Sequence, residues 1–150
     1  MTRVTYSYKR QGFQRYIFTS VGKNRIIKLV DFSPTTTPDL FNLGFGDLLP
    51  DGSIDDSINS NNGDMVKVLA TIVQIIKDFT FQFPEIKLIF LGSTHDRTKL
   101  YTRILKMYYA DFSKDFVITA FIKMNDSYKE IGFDPKGSFD YYAFFIKRIV

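Results

Sequence analysis

The stretch VTYSYKRQGFQRYIFTSVGKNRIIKLV, residues 4–30, decides the fold class. Apolar and polar residues alternate along it in three runs, which the breaks Gln11-Gly12 and Gly22-Lys23-Asn24 separate. Alternation with a period of two is typical of half-buried strands, and short breaks rich in Gly and Asn are typical of hairpin turns. The stretch therefore predicts three antiparallel strands in a meander.

Beyond the meander the sequence predicts one more strand and a long polar loop. Two prolines among residues 33–38 break regular structure before an apolar run at residues 40–45. Residues 47–64 are rich in Asp, Asn, Ser and Gly, which predicts a surface loop with a short strand near residues 54–58. The loop lacks the ligand spacing of an EF-hand, so its aspartates favour solvation over calcium binding.

At Met65 the apolar period lengthens to that of an amphipathic helix. The stripe predicted to face the core consists of Met65, Leu69, Ile72, Ile76 and Phe79. The opposite stripe consists of Lys67, Thr71, Gln74 and Asp78. Asn62 or Asp64 is expected to cap the start of this helix, and Pro84 to stop it.

The second half of the chain predicts another helix between short strands. A strand at residues 86–91 leads into a helix whose inward residues are Leu100, Ile104, Tyr108 and Phe112. Aromatic-rich runs at residues 116–123, 128–133 and 139–149 are strand candidates. The predicted fold class is α+β, with a mainly antiparallel, strongly curved sheet of about six to eight strands and two amphipathic helices packed on one face.

Length and composition predict a single domain over residues 1–150. The chain is 45% hydrophobic, so it has enough apolar area for one core. It contains no Cys, which excludes a disulfide framework, a thiolate zinc site and a cysteine nucleophile. Its beginning lacks the apolar core of a signal peptide, and no run approaches the roughly 18 apolar residues of a membrane-spanning helix. A cytoplasmic location without membrane contact is expected.

The charges are distributed unevenly along the first half of the chain. Residues 1–30 carry seven basic residues and no acid, whereas residues 31–64 carry seven aspartates and no base. Either a basic face for nucleic acid or two electrostatically complementary segments would produce this distribution. Complementary segments are favoured, because solvated or paired surface charge is the commoner use.

The strongest candidate site is the stretch GSTHDRTKLY, residues 92–101. A strand that ends in Gly-Ser-Thr and turns into a helix directs free backbone amides and the helix dipole at one point, which stabilises an anion. Ser93 and Thr94 are expected to donate hydrogen bonds there, and Arg97 to add a charge-assisted contact. In the structural alternative, Thr94 caps the helix and Arg97 pairs with a carboxylate such as Asp64. The glycine spacing of a P-loop or a Rossmann turn is absent.

Asn62-Gly63-Asp64, before the first helix, is a second polar element. It would add donors and a carboxylate to the same site if the two helix starts share one sheet edge, and helix capping is its structural alternative. His95 is the single histidine, which excludes a multi-histidine metal centre. No metal site and no cofactor are expected.

Several words of the sequence resemble a family of bacterial domains of unknown function, found mostly in Bacteroidetes-type genomes. The words are LGFGDL (43–48), IDD (54–56), NNGD (61–64), KVLAT (67–71) and GSTxxRTxLY (92–101). The resemblance covers nearly the whole chain and implies no activity, and His95 departs from its pattern. It favours one shared site with the ligand-binding residues Asp64, Ser93, Thr94, Arg97 and Tyr101.

Three functions remain open, and no catalytic residue is assigned. The first is a non-enzymatic module that binds an anionic ligand, a nucleotide or nucleic acid, at the turn of residues 92–97, with Lys99 and Arg103 widening the positive surface. The second is a phosphodiester- or nucleotide-processing enzyme in which Asp64 or Tyr101 moves a proton. The third is a module for a protein partner, for example a component of a toxin/antitoxin-like pair.

Overall fold

The computed structural model of the protein describes residues 4–55, 62–91 and 95–149, with the backbone alone for residues 95–97. Within these residues the chain forms nine strands and three helices. The strands are β1 (Tyr8–Gln11), β2 (Arg15–Val21), β3 (Arg25–Pro34), β4 (Leu40–Leu48), β5 (Ile54–Asp55), β6 (Lys87–Leu91), β7 (Phe116–Met124), β8 (Ser127–Gly132) and β9 (Tyr141–Arg148). The helices are α1 (Met65–Gln82), α2 (His95–Met107) and α3 (Tyr109–Asp115).

The strands hydrogen-bond into one open sheet in the order β1-β2-β3-β4-β6-β9-β7-β8, with β5 paired to β4. Most pairs are antiparallel, whereas β4 and β6 run parallel. The α+β class and the mainly antiparallel sheet are therefore confirmed. The nine strands in the described residues are one more than the predicted range of six to eight, and β5 lies where a short strand near residues 54–58 was predicted. A division of the second predicted helix adds a third helix.

The contacts divide the chain into two compact units. Unit 1 comprises Met1–Ser33 and Leu43–Phe83, and unit 2 comprises Pro34–Asn42 and Pro84–Val150. Each unit is built from two separate stretches of the chain. The expectation of a single domain over residues 1–150 stays a prediction.

The meander predicted for the start of unit 1 is confirmed. β2 pairs antiparallel with β1 and with β3, so that Tyr8 lies opposite Phe18. Gly12 has a φ of +66°, a left-handed conformation that glycine adopts without strain in the first hairpin turn. The helix α1 packs on this meander, where the rings of Phe32 and Phe79 stack with 4.0 Å between their centroids.

The helix α1 is buried around more of its circumference than an amphipathic pattern predicts. Four residues of the predicted inward stripe are at most 1% exposed, namely Leu69, Ile72, Ile76 and Phe79. Met65 of the same stripe is 39% exposed, so the stripe begins later than predicted. Thr71, predicted to face outward, is fully buried. Its hydroxyl donates to the carbonyl of Lys67 at 2.7 Å and accepts from the backbone amide of Tyr6 at 2.9 Å, which satisfies it inside the core.

The predicted side-chain cap of α1 is wrong. Asp64 occupies the N-cap position, and its backbone carbonyl accepts a hydrogen bond from the amide of Val68 at 3.0 Å. Its carboxylate makes no capping hydrogen bond, because it is engaged by donors of the meander. The helix ends at Gln82, two residues before Pro84, as predicted.

Unit 2 is organised around β9. This strand pairs antiparallel with β6 on one side and with β7 on the other, and β7 also pairs with β8. The first residues of β4 run parallel to β6, with Leu40 opposite Lys87. The helix α2 lies against β6 and β9, and α3 lies against β7.

The second predicted helix is divided at Tyr108 into α2 and α3. The backbone of Tyr108 leaves the helical region, with φ −107° and ψ 15°. The amide of Tyr108 still bonds the carbonyl of Ile104, and the amide of Phe112 bonds the carbonyl of Tyr108. The spacing of four residues between buried side chains therefore continues through the break, which explains why periodicity predicted one helix. Leu100, predicted to be buried, is only half-buried.

Ile72→Ala is expected to lower the free energy of unfolding by about 2–5 kcal/mol, because it removes most of a side chain of α1 that is 1% exposed. Val66→Ala, on the same helix but 60% exposed, is the matched control and should change stability by less than about 1 kcal/mol. Urea unfolding followed by circular dichroism measures both. If the free energy of unfolding falls by less than about 1 kcal/mol in both variants, Ile72 does not face the core.

Candidate functional site

The start of α1 in unit 1 carries a polar network centred on Asp64. The hydroxyls of Tyr6 and Ser20 both donate to Asp64 Oδ2, each at 2.5 Å. Ser20 is fully buried on β2, and the Tyr6 hydroxyl also accepts from the backbone amide of Val21 at 3.0 Å. The carboxylate thus ties the segment before β1, the strand β2 and the helix α1 together.

Asn62 joins the same network to the turn between β2 and β3. Its amide nitrogen donates to Ser20 Oγ at 2.9 Å and to the carbonyl of Asn24 at 2.8 Å, and its amide oxygen accepts from the amide of Asn24 at 2.7 Å. Gly22 passes so close that a Cβ there would lie 1.7 Å from the carbonyl oxygen of Asn62. Asn62 is 4% exposed, and its hydrogen bonds hold the residues before α1 against the turn between β2 and β3.

A buried ion pair lies near this network. Lys28 on β3 is 3% exposed, and its ammonium group donates to Asp47 Oδ1 at 2.5 Å. A second pair joins Arg15 to Asp31 at 3.3 Å. Both pairs join the basic first segment to the acidic second one, as the interpretation of complementary charges predicted.

The charge of Asp64 follows from these contacts. Burial alone would raise the pKa of its carboxyl, but the hydrogen bonds from Ser20 and Tyr6 and the nearby charge of Lys28 outweigh burial and lower the pKa below its usual value. Burial and the hydrogen bond to Asp64 raise the pKa of the Tyr6 phenol. At neutral pH the network therefore consists of a carboxylate and a neutral phenol, which stabilise each other.

Two of the sequence words that carry the family resemblance, LGFGDL (43–48) and NNGD (61–64), contribute Asp47 and Asp64 to unit 1. Gly46-Asp47 lies on β4, where a Cβ at Gly46 would meet the backbone oxygen of Asp55 at 2.6 Å, so the side of β4 is closed by β5. Asp47 and Asp64 both lie close enough to Lys28 to interact with its charge. The burial of Lys28 could not be predicted from the sequence, since a lysine in an alternating strand is most often exposed.

Unit 2 carries an open cleft of about 730 Å³ along one face of α2. The helix contributes its residues Thr98, Lys99, Thr102, Arg103, Lys106 and Met107. The segment that enters β9 contributes Ser138, Phe139, Asp140 and Tyr141. Spacings of three and four residues place the three cations on the same face of the helix. The cleft therefore has one cationic wall and one wall with two aromatic rings.

The aromatic wall is held in place by its own turn and by α2. The amide of Gly137 donates to the carbonyl of Asp134 at 3.0 Å, and the amide of Lys136 donates to Asp134 Oδ1 at 2.9 Å. Lys106 Nζ donates to the carbonyl of Gly137 at 3.2 Å, which fastens the turn to the helix. Sequence reasoning missed this wall, because it is more than 30 residues away from α2 along the chain.

The residues predicted to bind a ligand fall into three groups. Ser93, Thr94 and the side chain of Arg97 lie outside the described residues, so their convergence with Asp64 stays a prediction. Asp64 belongs to the network in unit 1. Tyr101, in unit 2, is 2% exposed and packs on Phe90 with 5.5 Å between ring centroids, and it does not line the cleft.

Comparison with known protein families identifies one match. The model of a family of unknown function, DUF6934, matches residues 2–149. The chain belongs to this family. No similar protein was found among the curated proteins or among the solved structures.

Two further findings apply to the described part of this DUF6934 member. No three or more of its His, Asp or Glu side chains there are grouped so that they could hold a metal ion. None of the helices formed by these residues is both long and apolar enough to cross a membrane.

Asp64→Asn is expected to lower the free energy of unfolding of this DUF6934 member by about 1.5–3 kcal/mol at pH 7, since it removes a charged acceptor of two hydrogen bonds. Because the folded state lowers the pKa of Asp64, the carboxylate stabilises the fold above its unfolded pKa of about 4, and this contribution is lost as the pH falls through the lower folded value. The difference between wild type and variant should therefore shrink in acid.

Chemical unfolding of both proteins at a series of pH values between neutral and strongly acidic measures this difference. Asp126→Asn, which changes an exposed turn residue, is the control and should leave stability nearly unchanged. A gap between Asp64→Asn and wild type that stays constant into acid would contradict the role of the ionised carboxylate.

Proposed function

We propose that the protein is a non-enzymatic module that binds an anionic ligand, a nucleotide or nucleic acid, on α2. The observation that carries the proposal is the cationic wall of the cleft, in which Lys99, Arg103 and Lys106 stand on one face of the helix. Among the described residues, Asp140 is the single carboxylate that lines the same cleft, so the described lining residues carry a net charge of +2. Such a surface attracts phosphate groups in preference to cations or neutral molecules.

The start of α2 would extend the same positive region. α2 begins at His95, so Ser93 and Thr94 directly precede its first residue and Arg97 belongs to its first turn. Unpaired amides and the helix dipole favour an anion at such a position. The proposal therefore keeps Ser93, Thr94 and Arg97 as ligand contacts and adds Arg103 and Lys106 to them.

Hydroxyl groups strengthen the case for phosphate recognition. Thr98, Thr102 and Ser138 line the cleft beside the cations. Thr102 Oγ1 donates to the carbonyl of Thr98 at 2.7 Å, which leaves its lone pairs but not its proton for a ligand. Ser138 is exposed and has a rotatable donor. The cations would supply most of the attraction, and the Ser138 hydroxyl could donate a hydrogen bond to the phosphate.

Binding is favoured over catalysis by the state of the two residues that could move a proton. The Asp64 carboxylate already accepts two hydrogen bonds and has a lowered pKa, so it is a weak base. Tyr101 is 2% exposed, so its hydroxyl is not open to a substrate. Tyr101 instead anchors α2 on β6, and the ligand site of the proposal does not include Asp64.

Arg103→Gln is expected to weaken the binding of pyrophosphate and of adenosine triphosphate about tenfold, which is about 1.4 kcal/mol, because one charge-assisted contact is lost. Its melting temperature should stay close to that of wild type, since Arg103 is exposed. Arg97→Ala should weaken binding in the same direction. Isothermal titration calorimetry at low and moderate salt measures the affinities, which should fall with salt.

Lys129→Gln is the matched control, because it removes one exposed cation from β8, away from the residues that line the cleft. It should leave both affinities unchanged. Absence of binding to either anion, or an equal loss in the control, would overturn the proposal. Hydrolysis of the triphosphate would favour the enzyme alternative, and a protein that co-purifies in fixed stoichiometry would favour the partner-binding alternative.

A further inference from the structure

The cleft in unit 2 has features that a simple anion would not use. Phe139 lies on the wall opposite the cations and is 49% exposed. Its ring is 6.1 Å from that of Tyr141 between centroids, at 62° between the ring planes, so the two rings support each other edge to face. An exposed phenyl ring that is fixed at the wall of a cleft is a surface on which a planar ring can stack.

Asp140 is the second such feature. A carboxylate beside Lys99, Arg103 and Lys106 repels a phosphate group and weakens the site for inorganic phosphate. The same carboxylate accepts hydrogen bonds from hydroxyl or amino groups. Its position next to Phe139 in the chain puts an acceptor beside the stacking surface, which suits a ligand that carries its donors on its uncharged half.

Tyr141 is the third feature, and it is independent of surface charge. The residue lines the cleft and is 8% exposed, and its hydroxyl is buried without a hydrogen-bond partner among the described residues. Burial and the charge of Asp134 raise the pKa of this phenol, so it keeps its proton. The hydroxyl is thus shielded from the cleft, and Tyr141 contributes its ring, which supports the ring of Phe139.

We infer that the cleft takes a single nucleoside phosphate, with the phosphate on the cationic wall and the base stacked on Phe139. The inference rests on the proposed function and names the ligand class of the same site. The volume of about 730 Å³ suits a molecule of that size, since ligand pockets usually measure about 300–1,000 Å³. A nucleoside phosphate supplies the three groups that suit the walls of the cleft: a charge, a planar ring and hydrogen-bond donors for Asp140.

The dimensions favour a mononucleotide over a nucleic-acid strand. Lys99 and Lys106 are seven residues apart on a helix, which separates their Cα atoms by about 10 Å along the axis. Grooves for single strands follow about 4–16 nucleotides and offer several stacking rings. Here Phe139 is the single aromatic residue of the cleft lining with a largely exposed ring.

The test compares adenosine 5′-monophosphate with ribose 5-phosphate, inorganic phosphate and a single-stranded decanucleotide, using calorimetry on the full chain. Adenosine monophosphate is expected to bind at least tenfold more tightly than ribose 5-phosphate, because only the former has a base to stack. Phe139→Leu keeps apolar volume but removes the flat ring. This variant should lower the affinity for adenosine monophosphate roughly 5- to 100-fold and leave the affinity for ribose 5-phosphate unchanged.

Phe81→Leu is the matched control, since Phe81 is 75% exposed on α1 in unit 1. It should leave all affinities unchanged.

The outcomes separate this inference from the proposed function. Phosphate and ribose 5-phosphate could bind with affinities that Arg103→Gln lowers, while neither the base nor the ring of Phe139 increases the affinity. That result overturns the inference and leaves the proposed anion-binding module standing. If the decanucleotide binds more tightly than the mononucleotide, the inference is overturned in favour of a nucleic-acid strand. If none of the phosphates binds, both are overturned.

Discussion

The carboxylate of Asp64 must keep its negative charge in a partly buried position at the start of α1, and the surrounding part of unit 1 is arranged to satisfy it. The hydroxyls of Tyr6 and Ser20 come from different segments, yet both reach the same oxygen atom. Asn62 then binds Ser20 and the turn at Asn24, so that the carboxylate, the hydroxyl and the amide form one continuous network. A partly satisfied network of this kind would cost more than an apolar core, which is why each member has a partner.

Part of the positive charge in the first segment of the chain is used inside unit 1. Lys28 is almost fully buried against Asp47 and influences Asp64, and Arg15 pairs with Asp31. Two of the basic residues in that segment are therefore neutralised inside unit 1. The cations of α2 in unit 2 line a cleft, and the proposed ligand would bind there.

Local sequence patterns predicted the strands and helices well, but they predicted the burial of individual side chains poorly. The alternation of residues 4–30 predicted the meander, and the spacing of Leu69, Ile72 and Ile76 predicted α1, because a strand and a helix each repeat over few residues. The break at Tyr108 was invisible, since its neighbours keep the helical spacing. Burial of Thr71 and Lys28 depends on partners that are far away in sequence.

The candidate site shows the same limit. The signal at residues 92–101 drew attention to the beginning of α2, and the cationic residues Lys99 and Arg103 were recognised there from the sequence. The facing wall at Phe139 and Tyr141 is positioned by the turn at Asp134 and by Lys106, and no short-range pattern predicts that such a turn folds back on a particular helix. A site formed by two segments that are far apart in the sequence can be recognised only in the folded structure.

The central place of β9 has a consequence for biosynthesis. Because β9 lies between β6 and β7, both of those strands present an unpaired edge until the last strand of the unit has left the ribosome. At roughly 5–20 residues per second, the chain between the end of β6 and the end of β9 takes several seconds to emerge. During that interval the apolar segment Lys87–Leu91 is open to pairing with other chains. The time that β9 needs to reach its place therefore sets how long these two edges stay open to other chains.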